Sequence, residues 1–354
     1  MRRVVVVVLL LCLIVPAVPA SAEPGPPRLS YEAWTGKSQP SAAVANLRGR
    51  VRTMVPNVEP FTSIDDGVVM VARHPRGGFA SNLIARDAVT GERLYTIPDA
   101  RYPLLFGDGT GVVFLPDNDG SGDEDRDEFV NSVWYKDLAT GDERKLAQFT
   151  DGDFWPMDLA ASPDGSLVAF THGNDQWRFI WNIWLANTDG SSLVQLTTDD
   201  RSMYPSFSPD GTQVAYAYTE GACTTGIRVI GVDGSGARTL TEGTCEQTLT
   251  RPRWLDEDTL VAWWWMQKPD GSGFRPQGLV AVDVATGEVD PNRLAVARVV
   301  DFSVSRDLGL IAYRTRRGAL FLHDFAAGTT TALPGGEKRW GWHLALDGSL
   351  EQLI

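Results

Sequence analysis

One line of sequence returns along this chain and constrains its fold more than any other feature. Ala161-Ser162-Pro163-Asp164-Gly165-Ser166-Leu167-Val168-Ala169-Phe170 comes back as Phe207-Ser208-Pro209-Asp210-Gly211-Thr212-Gln213-Val214-Ala215-Tyr216, its aspartate 46 positions further on. Weaker copies surround Asp66-Gly67, Asp108-Gly109, Asp256-Glu257-Asp258, Asp307-Leu308-Gly309 and Asp347-Gly348. Each copy runs a short strand into a tight turn, where glycine accepts a positive φ at little cost. Each then leaves through β-branched and aromatic residues that suit a half-buried pleated surface.

A second marker trails six of these units: Thr90-Gly91, Thr140-Gly141, Asp189-Gly190, Asp233-Gly234, Thr286-Gly287 and Ala327-Gly328. Strands flank each one, such as Ile183-Trp184-Leu185-Ala186 before and Leu193-Val194-Gln195-Leu196 after. Two hairpins per unit make a four-stranded antiparallel blade, and a near-47-residue period of such blades reads as a β-propeller. No long stretch shows apolar residues at helical spacing, so the fold class is all-β. Six units carry both turns. The stretch Leu29 to Lys37 looks like a hairpin lacking its first half, and the unit near Asp347 lacks its second. Joining those two gives seven blades and closes the ring without an exposed sheet edge. Six blades with trimmed ends is the alternative count.

The first residues read as an export signal. Arg2 and Arg3 precede an apolar run from Val4 to Val15, and Ala20-Ser21-Ala22 offers a small-x-small cleavage site. The run is shorter than the roughly 20 residues a membrane span needs. Residues 1–22 are therefore expected to be removed, and residues 23–354 to form a single propeller domain, secreted or periplasmic and monomeric. The formal charge of −13 becomes −15 once two arginines leave. So acidic a surface disfavours nucleic acid and anionic lipid as partners. Cys223 and Cys245 remain after cleavage, both in one repeat unit, and an oxidising compartment permits a disulfide between them. Two cysteines and histidines scattered at 74, 172, 323 and 343 do not make a structural zinc site.

Ser-Pro-Asp-Gly followed by a strand and then by Asn182-Ile183-Trp184-Leu185-Ala186-Asn187-Thr188-Asp189-Gly190-Ser191 resembles the WD40-like repeat of TolB-type periplasmic propellers. The same repeat occurs in the propeller domains of prolyl-oligopeptidase-type enzymes. The resemblance is strongest over residues 151–245. It implies the fold and leaves function open, because the repeat residues are structural and the scaffold hosts unrelated activities.

Three groups of residues are candidates for chemistry. Asp117, Asp119, Ser121, Asp123, Asp125 and Glu128 fall at calcium-loop positions 1, 3, 5, 7, 9 and 12, with Gly122 at position 6 where the loop bends. The flanks are strands, so the loop would join two strands of the second full unit, similar to the calcium hairpins of integrin α-chain propellers. The competing reading is a solvated acidic turn. Trp263 and Trp265 share one face of their strand and Trp264 takes the other. They read either as packing between blades or as a platform on which a ligand stacks. Trp177, Trp181 and Trp184 pose the same choice. His172, after an inner strand, reads either as a group at the channel mouth or as a buried or surface histidine. No Gly-x-Ser-x-Gly, His-Glu-x-x-His or phosphate-cradling loop is present. The expectation is a non-catalytic scaffold that binds a protein or peptide at one channel mouth. The rival is a propeller enzyme, a lyase, hydrolase or peptidase remnant, marked by carboxylates converging with a tyrosine or histidine in that mouth.

Overall fold

A computed structural model describes residues 28–33, 41–48, 50–56, 62–65, 68–73, 81–106, 109–116, 131–149, 156–175, 180–221, 224–290, 294, 298–333, 344–346, 349 and 351–352. Among them every regular element is a strand. Blade 1 takes β1 (Arg28–Ala33), β2 (Ser41–Asn46) and β3 (Val51–Pro56). Blade 2 is β4 (Thr62–Asp65), β5 (Val68–Arg73), β6 (Asn82–Asp87) and β7 (Arg93–Ile97). Blade 3 is β8 (Ala100–Phe106), β9 (Gly111–Pro116), β10 (Ser132–Asp137) and β11 (Glu143–Gln148). Blade 4 is β12 (Met157–Ala161), β13 (Leu167–Asp175), β14 (Ile180–Asn187) and β15 (Leu193–Gln195). Blade 5 is β16 (Ser202–Phe207), β17 (Gln213–Gly221), β18 (Thr224–Gly231) and β19 (Arg238–Thr241). Blade 6 is β20 (Thr248–Asp256), β21 (Thr259–Gln267), β22 (Phe274–Asp283) and β23 (Val289–Asp290). Blade 7 is β24 (Val299–Ser305), β25 (Leu310–Thr315), β26 (Leu320–Asp324) and β27 (Thr329–Leu333). The innermost strand of blade 1 is β28 (Leu344–Leu346), where Leu346 pairs with Leu29. The ring therefore has seven blades, not six. Last comes β29 (Glu351–Gln352), which pairs with the inner edge of β12 and gives blade 4 a fifth strand.

Strand periodicity explains how the ring coheres. Successive side chains face opposite sides of a blade, so each blade serves two interfaces. Val168 and Phe170 pack toward blade 3 and Ala169 toward blade 5. Seven apolar clusters result, one between each neighbouring pair of blades, including the pair formed by blades 7 and 1.

Because every blade is antiparallel, both kinds of recurrent turn fall at the same end of the ring, here the turn end. In the Ser-Pro-Asp-Gly turn the Ser208 hydroxyl donates to Asp210 at 2.6 Å and accepts the Gln213 N–H at 2.9 Å. Ser162 repeats this with Asp164 and Leu167. The outer turn is tied to the inner one by a main-chain bond. Leu138, Thr188, Val232, Val284 and Phe325 donate to Thr110, Ser166, Thr212, Asp258 and Gly309, at 2.7–3.2 Å. Blade-to-blade stitches add to these. The hydroxyls of Ser63, Ser206 and Ser303 accept the N–H of Leu105, Trp254 and Leu346 in the next blade.

Candidate functional site

The other end, the mouth end, carries the links between the two inner hairpins. Each innermost strand from blade 3 to blade 7 begins there with a register shift, a β-bulge. Counting back from the turns puts Tyr102, Asp158, Tyr204 and Arg251 in that bulge and Asp301 at the equivalent position, just after the bulge of blade 7. The first four have φ of 55°, 54°, 60° and 51°. Left-handed backbone costs a residue with a Cβ about 1–2 kcal/mol, and Tyr102, Tyr204 and Arg251 also precede proline, which crowds them further. Strain repeated at one level of a channel re-aims one side chain per blade. Strain of this kind clusters at functional sites.

These side chains form a chain of charge around the channel. Asp158 and Asp301 are buried, while Tyr204 and Arg251 are half-buried. Burial raises the Tyr204 phenol above its ordinary value, and the charge of Asp158 adds to the rise. Desolvation pushes Asp301 up to about 7, against the pull of Arg251 and of the Phe302 and Leu344 amides. The Arg251 guanidinium lies 5.3 Å from the ring centre of Tyr204 and 4.8 Å from that of Trp263, within cation–π range.

Arg251 opens onto a cavity of about 330 Å³, walled by Tyr204, Thr225, Thr248, Thr250, Trp263, Trp265 and Phe274. Trp263 fills two roles. It packs toward blade 7 in the cluster with Phe302 and Tyr313, and its Nε1 donates to Val299 O at 3.2 Å. Trp265 rests on it with ring centres 4.7 Å apart and remains half-exposed to the cavity. Trp264 turns to the opposite face, against the cluster between blades 5 and 6.

Behind this level the channel is occupied by β29. Antiparallel pairing with β12 makes it run from the turn end toward the mouth. Ser206 donates to Glu351 at 2.8 Å, and Arg253 and Arg306 lie 4.0 and 3.8 Å from its carboxylate. Burial lowers the Arg253 pKa, and Glu351 is the chief charge opposing that. Three blades thus grip one buried glutamate on the turn side of the cavity.

The other sequence candidates fall elsewhere. His172 is buried, stacked on Phe149 at 3.6 Å between ring centres. Trp184 packs into the cluster between blades 3 and 4, and Trp181 is buried. Trp177, His74, His343, Cys223 and the segment with Asp117, Asp119, Ser121, Asp123, Asp125 and Glu128 lie outside the described residues. Among the described residues no cluster of three or more metal-ligating side chains occurs. Among them, too, no helix is long and apolar enough to cross a membrane. Asp158, Tyr204, Arg251 and Asp301 are not singled out by the sequence reading. For two of the four a signal exists, a residue-proline pair a fixed distance before the turn, Tyr204-Pro205 and Arg251-Pro252.

No family model matches the chain, and no curated protein matches it. Solved structures do. Tricorn protease superimposes with a TM-score of 0.64 at 12% identity, over 88% of this chain and 34% of that one. This chain thus spans about a third of that protein. An oligogalacturonate lyase from Vibrio parahaemolyticus gives 0.58 at 11% identity, over 92% and 88% of the two chains. TolB from Acinetobacter baumannii gives 0.51 at 15% identity, over 91% and 82%. At such identities the likeness concerns the fold. The molecule has the fold of a seven-bladed, TolB-like β-propeller.

Proposed function

We propose that this chain is an exported, non-catalytic propeller that binds a protein or peptide partner at the mouth end of blades 5 and 6. The observation that carries the reading is the cavity over Arg251. Its walls are aromatic, its one guanidinium lies on a strained bulge, and β29 closes the channel behind it. Aromatic and arginine anchors in a partly desolvated pocket are the groups that dominate protein recognition. A calcium ion on Asp117, Asp119, Ser121, Asp123, Asp125 and Glu128 belongs to the same proposal, carried by their calcium-loop spacing alone. So does a bridge between Cys223 and Cys245. Both cysteines belong to one repeat unit, and an exported chain meets oxidising conditions.

A second reading, an enzyme at the same mouth, is favoured by Asp158 and Asp301 flanking Tyr204 and Arg251. Those two carboxyls are 2% and 3% exposed, which puts them out of reach of a substrate atom in this conformation. A photo-crosslinking residue placed at Trp265 and, separately, at Thr212 on the turn end separates the ends in the native host. We expect partner adducts from position 265 and none from 212. Adducts from 212 alone would overturn the assignment.

A further inference from the structure

We infer that the cavity over Arg251 takes the free carboxylate at the end of a peptide whose last side chain is aromatic or apolar. This rests on the mouth reading above and names its ligand chemistry. A guanidinium with aromatic rings against its faces keeps its N–H groups in the plane, where they donate in a fork that matches a carboxylate. The Arg251 guanidinium lies over the rings of Tyr204 and Trp263 and is hydrogen-bonded to the Tyr204 side chain, and among the described residues it forms no ion pair within 4.0 Å. The carboxyl of Asp301 is turned to the main chain, accepting the Phe302 N–H at 2.9 Å. The cavity therefore offers a cation held among aromatic neighbours on its wall, in a chain of net charge −13.

The remaining walls select what accompanies the carboxylate. Trp265 and Phe274 form an apolar side that fits one ring or branched side chain, and Thr225, Thr248 and Thr250 line the rest. A sugar fits less well. Carbohydrate stacking needs an open aromatic face, yet Trp263 is 6% exposed and Trp265 is tilted 55° against it. A volume of about 330 Å³ stands at the small end of ligand pockets, enough for one terminal residue and too small for an oligosaccharide.

The test uses the full chain and three probes: N-acetyl-phenylalanine, its C-terminal amide and galacturonic acid, followed by titration calorimetry and saturation-transfer NMR. N-acetyl-phenylalanine is expected to bind with Kd on the order of 1 mM, the amide at least tenfold more weakly, and galacturonic acid not measurably. Arg251→Gln should weaken the acid at least tenfold while leaving binding of the amide unchanged, which shows that the cavity itself is still formed. Arg251→Lys should recover part of the loss. Equal binding of acid and amide would overturn the carboxylate and leave the mouth reading standing. Preference for galacturonic acid would overturn the peptide end. Failure of all three probes would overturn the inference, and crosslinking at position 265 reports on the mouth separately.

Discussion

The two ends of this ring are made by opposite means. At the turn end, five blades repeat one main-chain bond between their two turns, and two repeat the same serine–aspartate pair. At the mouth end, one equivalent position holds tyrosine, aspartate, tyrosine, arginine and aspartate in successive blades. Equivalent backbone with unlike side chains is what a ring needs to gather different chemistry around one axis. Repetition in this chain marks what holds blades together, and departure from it gathers unlike side chains at the mouth.

The comparison breaks most readily at Gly287. With φ of 75°, this turn glycine sits where a Cβ would collide with the Leu240 carbonyl of blade 5. Its counterpart Gly234 has φ of 82° and open space around it. Gly287→Ala should cost about 3 kcal/mol, through strain and a forced blade shift. Gly234→Ala should cost about 1 kcal/mol. Guanidinium denaturation of both variants checks this, and equal losses would mean that the turn end is not packed blade against blade.

Asp301 sharpens the comparison from the mouth end. Its folded pKa, about 7, lies above the ordinary 3.8 because burial disfavours the charged form. A raised carboxyl contributes stability that is fully present below about pH 4 and lost as pH rises through about 7. Asp301→Asn keeps the neutral shape. It should melt like wild type at pH 4 and on the order of 5 °C higher at pH 8.5. A pH-independent difference would show that Asp301 stays ionised against Arg251 and Arg314.

The smallest effect is expected at Asp210. The Ser208 hydroxyl, then the Thr212 amide, holds its carboxyl below the ordinary value. This contribution is present above about pH 4 and disappears as the pH falls below it. Asp210→Ala should lower Tm at pH 7 by about 2 °C, and the gap should close at pH 2.5. A gap that persists there would assign the effect to turn geometry instead of charge.

Those three sites also show what the sequence makes legible. The turn end is written in residue types, because a positive φ demands glycine and a serine–aspartate turn demands those side chains. Blade number followed from them, but the closing blade takes three strands from one end and β28 alone from the other, where a hairpin from each was expected. The bulge is defined by backbone shape, and backbone shape at position 204 or 251 does not dictate a residue type. Only the proline after it left a trace. Trp263 and Trp265 stood out as aromatics, but their company with Arg251 and Tyr204 depends on blades 5 and 6 lying side by side. The path of β29 was equally hidden. Nothing local in Glu351 shows that Arg253, Arg306 and Ser206 await it across the channel.

The pairing of Leu29 with Leu346 sets a timetable for assembly. Blades 2 to 7 draw their four meander strands from contiguous stretches, so each can form as its residues leave the ribosome. Blade 1 cannot. Its three outer strands are made first and must wait, with β1 unpaired on its inner side, until almost the whole chain has followed. Contacts of such long sequence separation are slow to form, and here they are also the last to become available. Ring closure thus joins Leu29 to Leu346 across the six blades that lie between them in sequence.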